Sequence, residues 1–317
     1  MNKRVLGKTG LEIAPLVFGA NVFGWTADQK TSFELLDGLA EAGLNAIDTA
    51  DIYSAWAPGN EGGESETIIG NWLKRNPGKR DKVVLITKVG SEFSPEKRGL
   101  SERWIMQAIE DSLRRLQTDY VDLYLSHWAD PDTPYEESLG AYQKLLQAGK
   151  IRAVGASNLD AQQLADSLEV AKVHKLPRYD VLQPVYNLYD RFEFEGALRD
   201  LTVNEDIGVI TYYSLASGFL SGKYRSRDDV NKSVRGQGVT DKYLNERGLR
   251  ILAALDEVAS GMNAKQAEVA LAWVIGREGV TAPIASATNR SQLDSLVRAT
   301  QLSLSTDDIA LLDKASA

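Results

Sequence analysis

Val83-Val-Leu-Ile-Thr-Lys88, Glu102-Arg-Trp-Ile-Met-Gln-Ala-Ile-Glu-Asp-Ser-Leu-Arg-Arg-Leu116 and Tyr120-Val-Asp-Leu-Tyr-Leu-Ser126 follow one another near the middle of the chain. The outer two are short apolar runs. The middle one repeats Trp104, Ile105, Ala108, Ile109, Leu113 and Leu116 at the spacing of one helix face. A crossover long enough to hold a helix returns its second strand parallel to the first, so this unit predicts a parallel sheet covered by helices.

The same alternation continues in both directions. Further candidate strands are Pro15 to Ala20, Asn45 to Asp48, Ile151 to Ala156, Val181 to Tyr186, Gly208 to Tyr212 and Thr281 to Ser286, which brings the total to eight. Between them Thr31 to Ala42, Ser65 to Arg75, Tyr135 to Gln147, Asp160 to Val173 and Phe194 to Asn204 carry helical spacing. Eight strand–helix units suit a closed (β/α)8 barrel better than an open sheet, so residues 1–317 are expected to form a single barrel domain. Arg4 to Leu11, with Thr9-Gly10 as its turn, predicts a hairpin before the barrel. Ser214 to Asp241, rich in Gly, Ser and charge, predicts a long loop after the seventh strand. Helices over Lys242 to Ser260 and Lys265 to Ile275 are expected next, and Arg290 is expected to open the final helix.

Composition narrows the chemistry. The formal net charge is −8, which disfavours nucleic acid or an anionic membrane as a partner, because both demand clustered positive charge. No cysteine is present, so disulfides, thiolate metal sites and cysteine nucleophiles are excluded. With only His127 and His174, a three-histidine zinc site is excluded too, and no metal is expected. The chain opens without an apolar run of signal-peptide length and holds no stretch apolar enough for a membrane span, so the expected location is the cytoplasm.

The carboxyl ends of parallel barrel strands surround one mouth. There the sequence delivers Asp48 and then Tyr53, Lys88, His127, Ser157 and Asn158, Gln183, and Tyr212-Tyr213-Ser214. Each has a bland reading: helix cap, surface aromatic, solvated charge or structural imidazole. Asp, Tyr, Lys and His on three consecutive strands form a complete acid–base set. His174, near the end of a helix, is assigned no chemistry. A phenol has a solution pKa near 10, and an ammonium close by favours its anion. Lys88 is expected to supply that field, Asp48 to keep Lys88 charged and in place, and a neutral His127 to donate to a carbonyl oxygen. Such a set protonates an alkoxide. An alkoxide arises when hydride attacks a carbonyl, and hydride needs a carrier. The chain has neither a G-x-G-x-x-G after its first strand nor a P-loop, so any nicotinamide is expected at the barrel mouth; G-x-S-x-G is missing as well.

At these residues the sequence resembles the aldo-keto reductase superfamily, in particular its bacterial members related to the potassium-channel β-subunit branch. The likeness runs through Leu6-Gly-Lys-Thr-Gly-Leu-Glu-Ile13, Gly43-Leu-Asn-Ala-Ile-Asp-Thr-Ala-Asp-Ile-Tyr53, Ile86-Thr-Lys88, Asp119-Tyr-Val-Asp-Leu-Tyr-Leu-Ser-His127 and Ala148-Gly-Lys-Ile-Arg-Ala-Val-Gly-Ala-Ser-Asn158. It implies reduction of aldehydes or ketones with NADPH, or less often NADH. Tyr53 would act as general acid/base, Asp48 and Lys88 would tune it, and His127 would orient the carbonyl. It also implies that Asn21, Asp48, Ser157, Asn158, Gln183, Tyr212, Ser214, Leu215, Ser217, Lys223, Arg235, Ser286, Thr288 and Gln292 contact the cofactor, with the Tyr212 ring on the nicotinamide. Trp25, Trp56 and Trp128, near the ends of the first, second and fourth strands, are candidates for an aromatic wall of the substrate pocket. The expected partner is a small carbonyl or alcohol.

The chain departs from the family pattern at Pro283-Ile-Ala-Ser-Ala-Thr-Asn-Arg290, where Thr288 stands at a position often held by a cation that receives the 2′-phosphate of NADPH. Ser295 and Leu296 replace a frequent Glu-Asn pair, and Arg290 is the nearest replacement cation. NADPH is the first expectation and NADH the alternative. Two competing functions remain. A regulatory nicotinamide-binding role like that of potassium-channel β subunits is disfavoured because that group carries Asn where this chain has His127. A glycosidase using Glu64 and Glu66 is disfavoured because residues two apart on a helix point to different faces.

Overall fold

A computed structural model describes residues 2–317. Two short strands come first, β1 (Arg4–Val5) and β2 (Glu12–Ile13), antiparallel with Arg4 opposite Ile13. A closed parallel barrel follows in sequence order: β3 (Val17–Gly19), β4 (Ala46–Asp48), β5 (Val84–Val89), β6 (Val121–Ser126), β7 (Ile151–Ser157), β8 (Val181–Gln183), β9 (Gly208–Thr211) and β10 (Ala282–Ala285), which closes on β3. The crossovers carry α1 (Gln29–Ala42), α2 (Glu64–Arg75), α3 (Glu102–Leu116), α4 (Tyr135–Gln147), α5 (Ala161–His174), α6 (Ala197–Glu205), α7 (Gly236–Tyr243), α8 (Glu246–Met262) and α9 (Gln266–Ile275). After the barrel closes come α10 (Arg290–Ala299) and α11 (Thr306–Ser316). The chain is the (β/α)8 barrel with an N-terminal hairpin that its sequence predicts.

Two apolar layers result from strand alternation. Val17, Ala46, Val84, Ile86, Leu123, Leu125, Ala153, Val181, Ile210, Ala282 and Ile284 fill the barrel interior. Their neighbours Phe18, Ile47, Leu85, Tyr124, Val154, Leu182 and Val209 point outward into the larger core under the helices. Leu6 and Ile13 of the hairpin region pack with the interior set. Gly7 permits that approach, since it sits at φ +54° and a Cβ there would lie 2.5 Å from the Asp180 carbonyl and the Gly208 nitrogen. Continuing each inward series toward the carboxyl end reaches Asp48, Lys88, His127, Ser157, Gln183, Tyr212 and Ser286. Parity alone therefore gathers the polar set.

Several expected boundaries move. The hairpin pairing runs past Leu11 to Ile13. The strand expected to reach Tyr186 ends at Gln183, because Pro184 has no N–H for the ladder, and only an isolated Val185–Tyr212 bridge follows. The helix expected over Lys242 to Ser260 is two: Asn245 is extended and accepts from Gly248 N, capping α8 and ending α7 at Tyr243. Ser214 to Asp241 is not a featureless loop, since it holds helical turns at Ala216–Ser221 and Arg227–Lys232 before α7 begins at Gly236. These pieces are too short to impose a period on the sequence. Arg290 opens α10, and α11, capped by Ser305 and Asp308, follows it. No helix among the described residues is long and apolar enough to cross a membrane.

Candidate active site

Asp48 ends β4 facing inward, and Lys88 points inward near the end of β5. Lys88 is 0% exposed, and its ammonium donates to Asp48 Oδ2 at 2.8 Å, the Thr49 carbonyl at 2.7 Å and the Tyr53 hydroxyl oxygen at 2.9 Å. The other carboxylate oxygen of Asp48 accepts from Gln183 Nε2 at 2.8 Å. Tyr53, in the loop after β4, has its hydroxyl 3.4 Å from Asp48 Oδ2 and its ring edge-on to His127 with centroids 5.9 Å apart. All four expected acid–base residues meet.

The electrostatics differ from the expectation in one respect. Burial, followed by the Asp48 charge and its hydrogen bond, pushes the Tyr53 phenol well above its usual range, whereas the sequence reading had Lys88 bringing it down. Burial also lowers Lys88, while Asp48 pulls in the opposite direction. His127 is held well below the ordinary imidazole value by burial and then by Lys88, so the ring is neutral. Its Nδ1 lies 3.0 Å from Ser91 Oγ, a contact with no signal in the sequence because Ser91 sits in the loop beyond β5.

Around this centre, Ser157 Oγ donates to the Gln183 carbonyl at 2.8 Å, and Asn158 Nδ2 donates to the His127 carbonyl at 2.9 Å. Tyr212 donates to Asn158 Oδ1 at 2.6 Å. Asn21 and Ser286 form a separate pair at 2.7 Å, and Ser214 is buried, donating to the Thr211 carbonyl at 2.9 Å. Thr288 meets Gln292 through both its N–H, at 2.8 Å, and its hydroxyl, at 3.2 Å. Leu215 packs against the outer core, and Ser217 takes a left-handed backbone at φ 55°.

The indoles gather by the phenol. Trp56 is 5.8 Å from Tyr53 and 5.7 Å from Trp25, ring centre to ring centre, and Trp128 stacks on His127 at 5.6 Å. Trp56 and Trp128 are about half exposed. Glu64 and Glu66 do diverge: Glu64 accepts backbone N–H groups of Glu61 and Gly62, while Glu66 is buried against Thr87 and Arg115. His174 ends α5 beside Glu136.

The donor set fits an anionic dinucleotide. Between Lys223 and Lys242, Arg225 pairs with Asp256, Arg227 with Asp241, Lys232 with Asp229 and Lys242 with Asp190. Lys223 and Arg235 alone in that segment have no carboxylate partner among the described residues. Arg235 lies over the Trp25 ring at 4.7 Å, and Lys223 over Tyr224 at 5.1 Å. Cations left unpaired beside polar turns suit a pyrophosphate. At the other end, Arg290 is exposed and already paired with Glu41 at 3.3 Å and Asp294 at 3.0 Å.

Comparison with known proteins gives the lineage. The profile of the Aldo/keto reductase family matches residues 15–317. The chain is 32% identical to the uncharacterized oxidoreductase YrpG of Bacillus subtilis, over 99% of this chain and 95% of that protein. It is 31% identical to an L-glyceraldehyde 3-phosphate reductase of Escherichia coli, over 99% and 92%, and 31% identical to a probable voltage-gated potassium channel subunit beta of Arabidopsis thaliana, over 94% and 91%. A barrel whose mouth holds Asp48, Lys88 and Tyr53 in hydrogen-bonding contact with His127 edge-on to the Tyr53 ring, matched along nearly its whole length, belongs to the aldo/keto reductase family of oxidoreductases.

Proposed function

We propose that the chain catalyses the reversible reduction of an aldehyde or ketone to an alcohol, with NADPH as its first cofactor and Tyr53 as the proton donor. The observation that carries the reading is the buried Lys88 ammonium touching the Asp48 carboxylate and the Tyr53 hydroxyl together. A dinucleotide bound at the mouth would supply hydride, which no side chain carries.

The residues supply the rest. Burial keeps the Tyr53 phenol protonated, which is the form an acid needs, and a carbonyl oxygen gaining negative charge is far more basic than a phenolate. As the proton leaves, the Lys88 ammonium at 2.9 Å faces the new phenolate and offsets its charge. Asp48, itself held by Gln183, and the Thr49 carbonyl fix that ammonium, so it need not reorganise when charge develops. The neutral imidazole of His127 donates to the carbonyl oxygen and orients it. Lys223 and Arg235 would hold the pyrophosphate, Asn158, Ser157 and Gln183 would border the nicotinamide, and Tyr212 would stack on it. Asn21, Ser214, Leu215, Ser217, Ser286, Thr288 and Gln292 complete the proposed cofactor contacts.

Trp25, Trp56 and Trp128 form the proposed wall of the substrate pocket, suited to small or aromatic aldehydes and to short polyol-derived carbonyls. A relative's name, L-glyceraldehyde 3-phosphate reductase, is in keeping with a short carbonyl compound. The regulatory reading draws on the channel-subunit relatives, but the complete acid–base set with His127 favours catalysis. Aldehyde-dependent oxidation of NADPH across a panel of small and aromatic aldehydes tests this. Turnover is expected; tight NADPH binding with no turnover on any aldehyde would return the chain to the regulatory reading.

A further inference from the structure

Both the backbone and the ring of His127 are held by neighbours. Its backbone N–H donates to the Val89 carbonyl at 2.8 Å, and its carbonyl accepts from Asn158 at 2.9 Å. Trp128 stacks on one face with planes 12° apart, and the Tyr53 ring meets it edge-on. What these contacts leave open is the position of its proton. A neutral imidazole has a single N–H, on Nδ1 or on Nε2, and the partner of one nitrogen decides the state of the other.

That partner is Ser91. The chain reaches it through Gly90, whose φ of +114° and whose 2.9 Å from a would-be Cβ to Leu100 Cδ2 make the turn specific to glycine. The turn lays Ser91, 8% exposed, against the ring with Oγ 3.0 Å from Nδ1. Ser91 Oγ has no other hydrogen-bond partner among the described residues, and neither has Nε2. If Nδ1 carried the proton, it would donate to Oγ, the buried serine hydrogen would have no acceptor, and Nε2 would present a lone pair to a carbonyl oxygen. If the serine donates to Nδ1, both groups are satisfied and Nε2 presents N–H.

We infer that Ser91 is a positioning residue: by donating to Nδ1 it holds the single proton of His127 on Nε2, the nitrogen that donates to the substrate carbonyl. The inference rests on the proposed function only for that last clause. The tautomer itself is a property of the protein without substrate.

The two-histidine composition makes it directly measurable. The chain, labelled with nitrogen-15 in its imidazoles and saturated with NADP+, should show His127 as a neutral ring with a pyrrole-type Nε2 and a pyridine-type Nδ1. His174, exposed on α5, serves as the internal reference. Ser91→Ala should move both His127 nitrogens toward the averaged values of mixed tautomers, and Ser91→Thr, which keeps the hydroxyl, should retain the parental pattern. With a turned-over aldehyde, Ser91→Ala should lower kcat by about tenfold, the size of effect that one neutral hydrogen bond supplies at most. Its dissociation constant for NADPH should be unchanged, and Ser91→Thr should recover most of the rate. A parental His127 protonated on Nδ1, or an unchanged tautomer in Ser91→Ala, overturns the inference. So does a shifted tautomer with unchanged kcat. The expected tautomers in a protein that reduces no carbonyl would support the Ser91 assignment and overturn the proposed function instead.

Discussion

Asp48 and Asp51 stand in the same short segment, both buried, Asp48 at the end of β4 and Asp51 in the turn that follows. Asp48 faces the mouth and is bonded by Lys88 and Gln183. Asp51 belongs to the layer behind it, near Glu66 of α2, Arg115 of α3 and the outward-facing Tyr124 of β6; among the described residues no side chain bonds its carboxylate, and only the adjacent Ile52 N–H approaches it, without the geometry of a full hydrogen bond. Burial, then the charge of Glu66, pushes the Asp51 carboxyl well above its usual range. Among the described residues the Tyr124 hydroxyl and Trp104 Nε1 are unpartnered as well. One carboxylate meets converging donors in a dry interior; the other meets no such set, and burial raises its affinity for a proton. The lesson is that burial alone does not mark a reacting group, while burial with converging donors does.

Substitution at the two positions is the strongest way to break this contrast. Asp48→Asn leaves Lys88 without its counter-charge, and kcat is expected to fall by about 10²–10⁴, the range of an acid–base group's contribution. Asp51→Asn should retain most of the turnover, and equal losses in kcat at both positions would show that the contrast has no functional meaning.

The same contrast of partnered and unpartnered groups applies to the cations. Arg235→Ala should weaken NADPH and NADH together, by about ten- to a hundredfold, since one charge-assisted hydrogen bond is worth about 1.5–3 kcal/mol. Arg290, already held by two carboxylates, should have a smaller effect: Arg290→Ala is expected to lower the NADPH-to-NADH preference only slightly, whereas Thr288→Arg, a fresh cation, should raise it. Dissociation constants at fixed ionic strength decide this. An Arg235→Ala variant that loses NADPH but not NADH would move Arg235 from the pyrophosphate to the 2′-phosphate.

The last effect is on stability. A carboxyl whose folded pKa is raised contributes most below its unfolded value, near 4, and that contribution is lost as pH rises through the folded value. Asp51→Asn removes this dependence. The variant should gain stability relative to the parent as pH rises above the unfolded value, by up to about 1.4 kcal/mol per pH unit until the folded value is passed. Denaturation midpoints that differ by a constant across that range would contradict a raised Asp51.

Much of this was legible in the residues. The spans Glu102–Leu116 and Tyr135–Gln147 match the helices residue for residue, because each opens at a clear stop, Ser101 or Pro134, and keeps a long period. Asp48, Lys88, His127 and Gln183 follow from continuing the inward parity of their strands. Tyr53 lies in a loop, beyond parity, and is legible from its place five residues after Asp48 at the end of the second strand; the family resemblance adds its role as general acid/base. The direction of its acidity depends on burial and on Asp48, neither of which spacing reveals. Ser91 and the helical turns after β9 were invisible for a related reason: a contact across a turn and a six-residue helical turn leave no periodic trace.

The central claim is that the Tyr53 hydroxyl delivers the proton. Tyr53→Phe removes that oxygen and keeps the ring between Trp56 and His127, so pocket and cofactor site should survive. The measurement is kcat for NADPH oxidation with the best aldehyde of the panel, taken beside the dissociation constant for NADPH. The account predicts a fall in kcat of about 10²–10⁴ with cofactor affinity unchanged; a variant that keeps most of the parental turnover would contradict it.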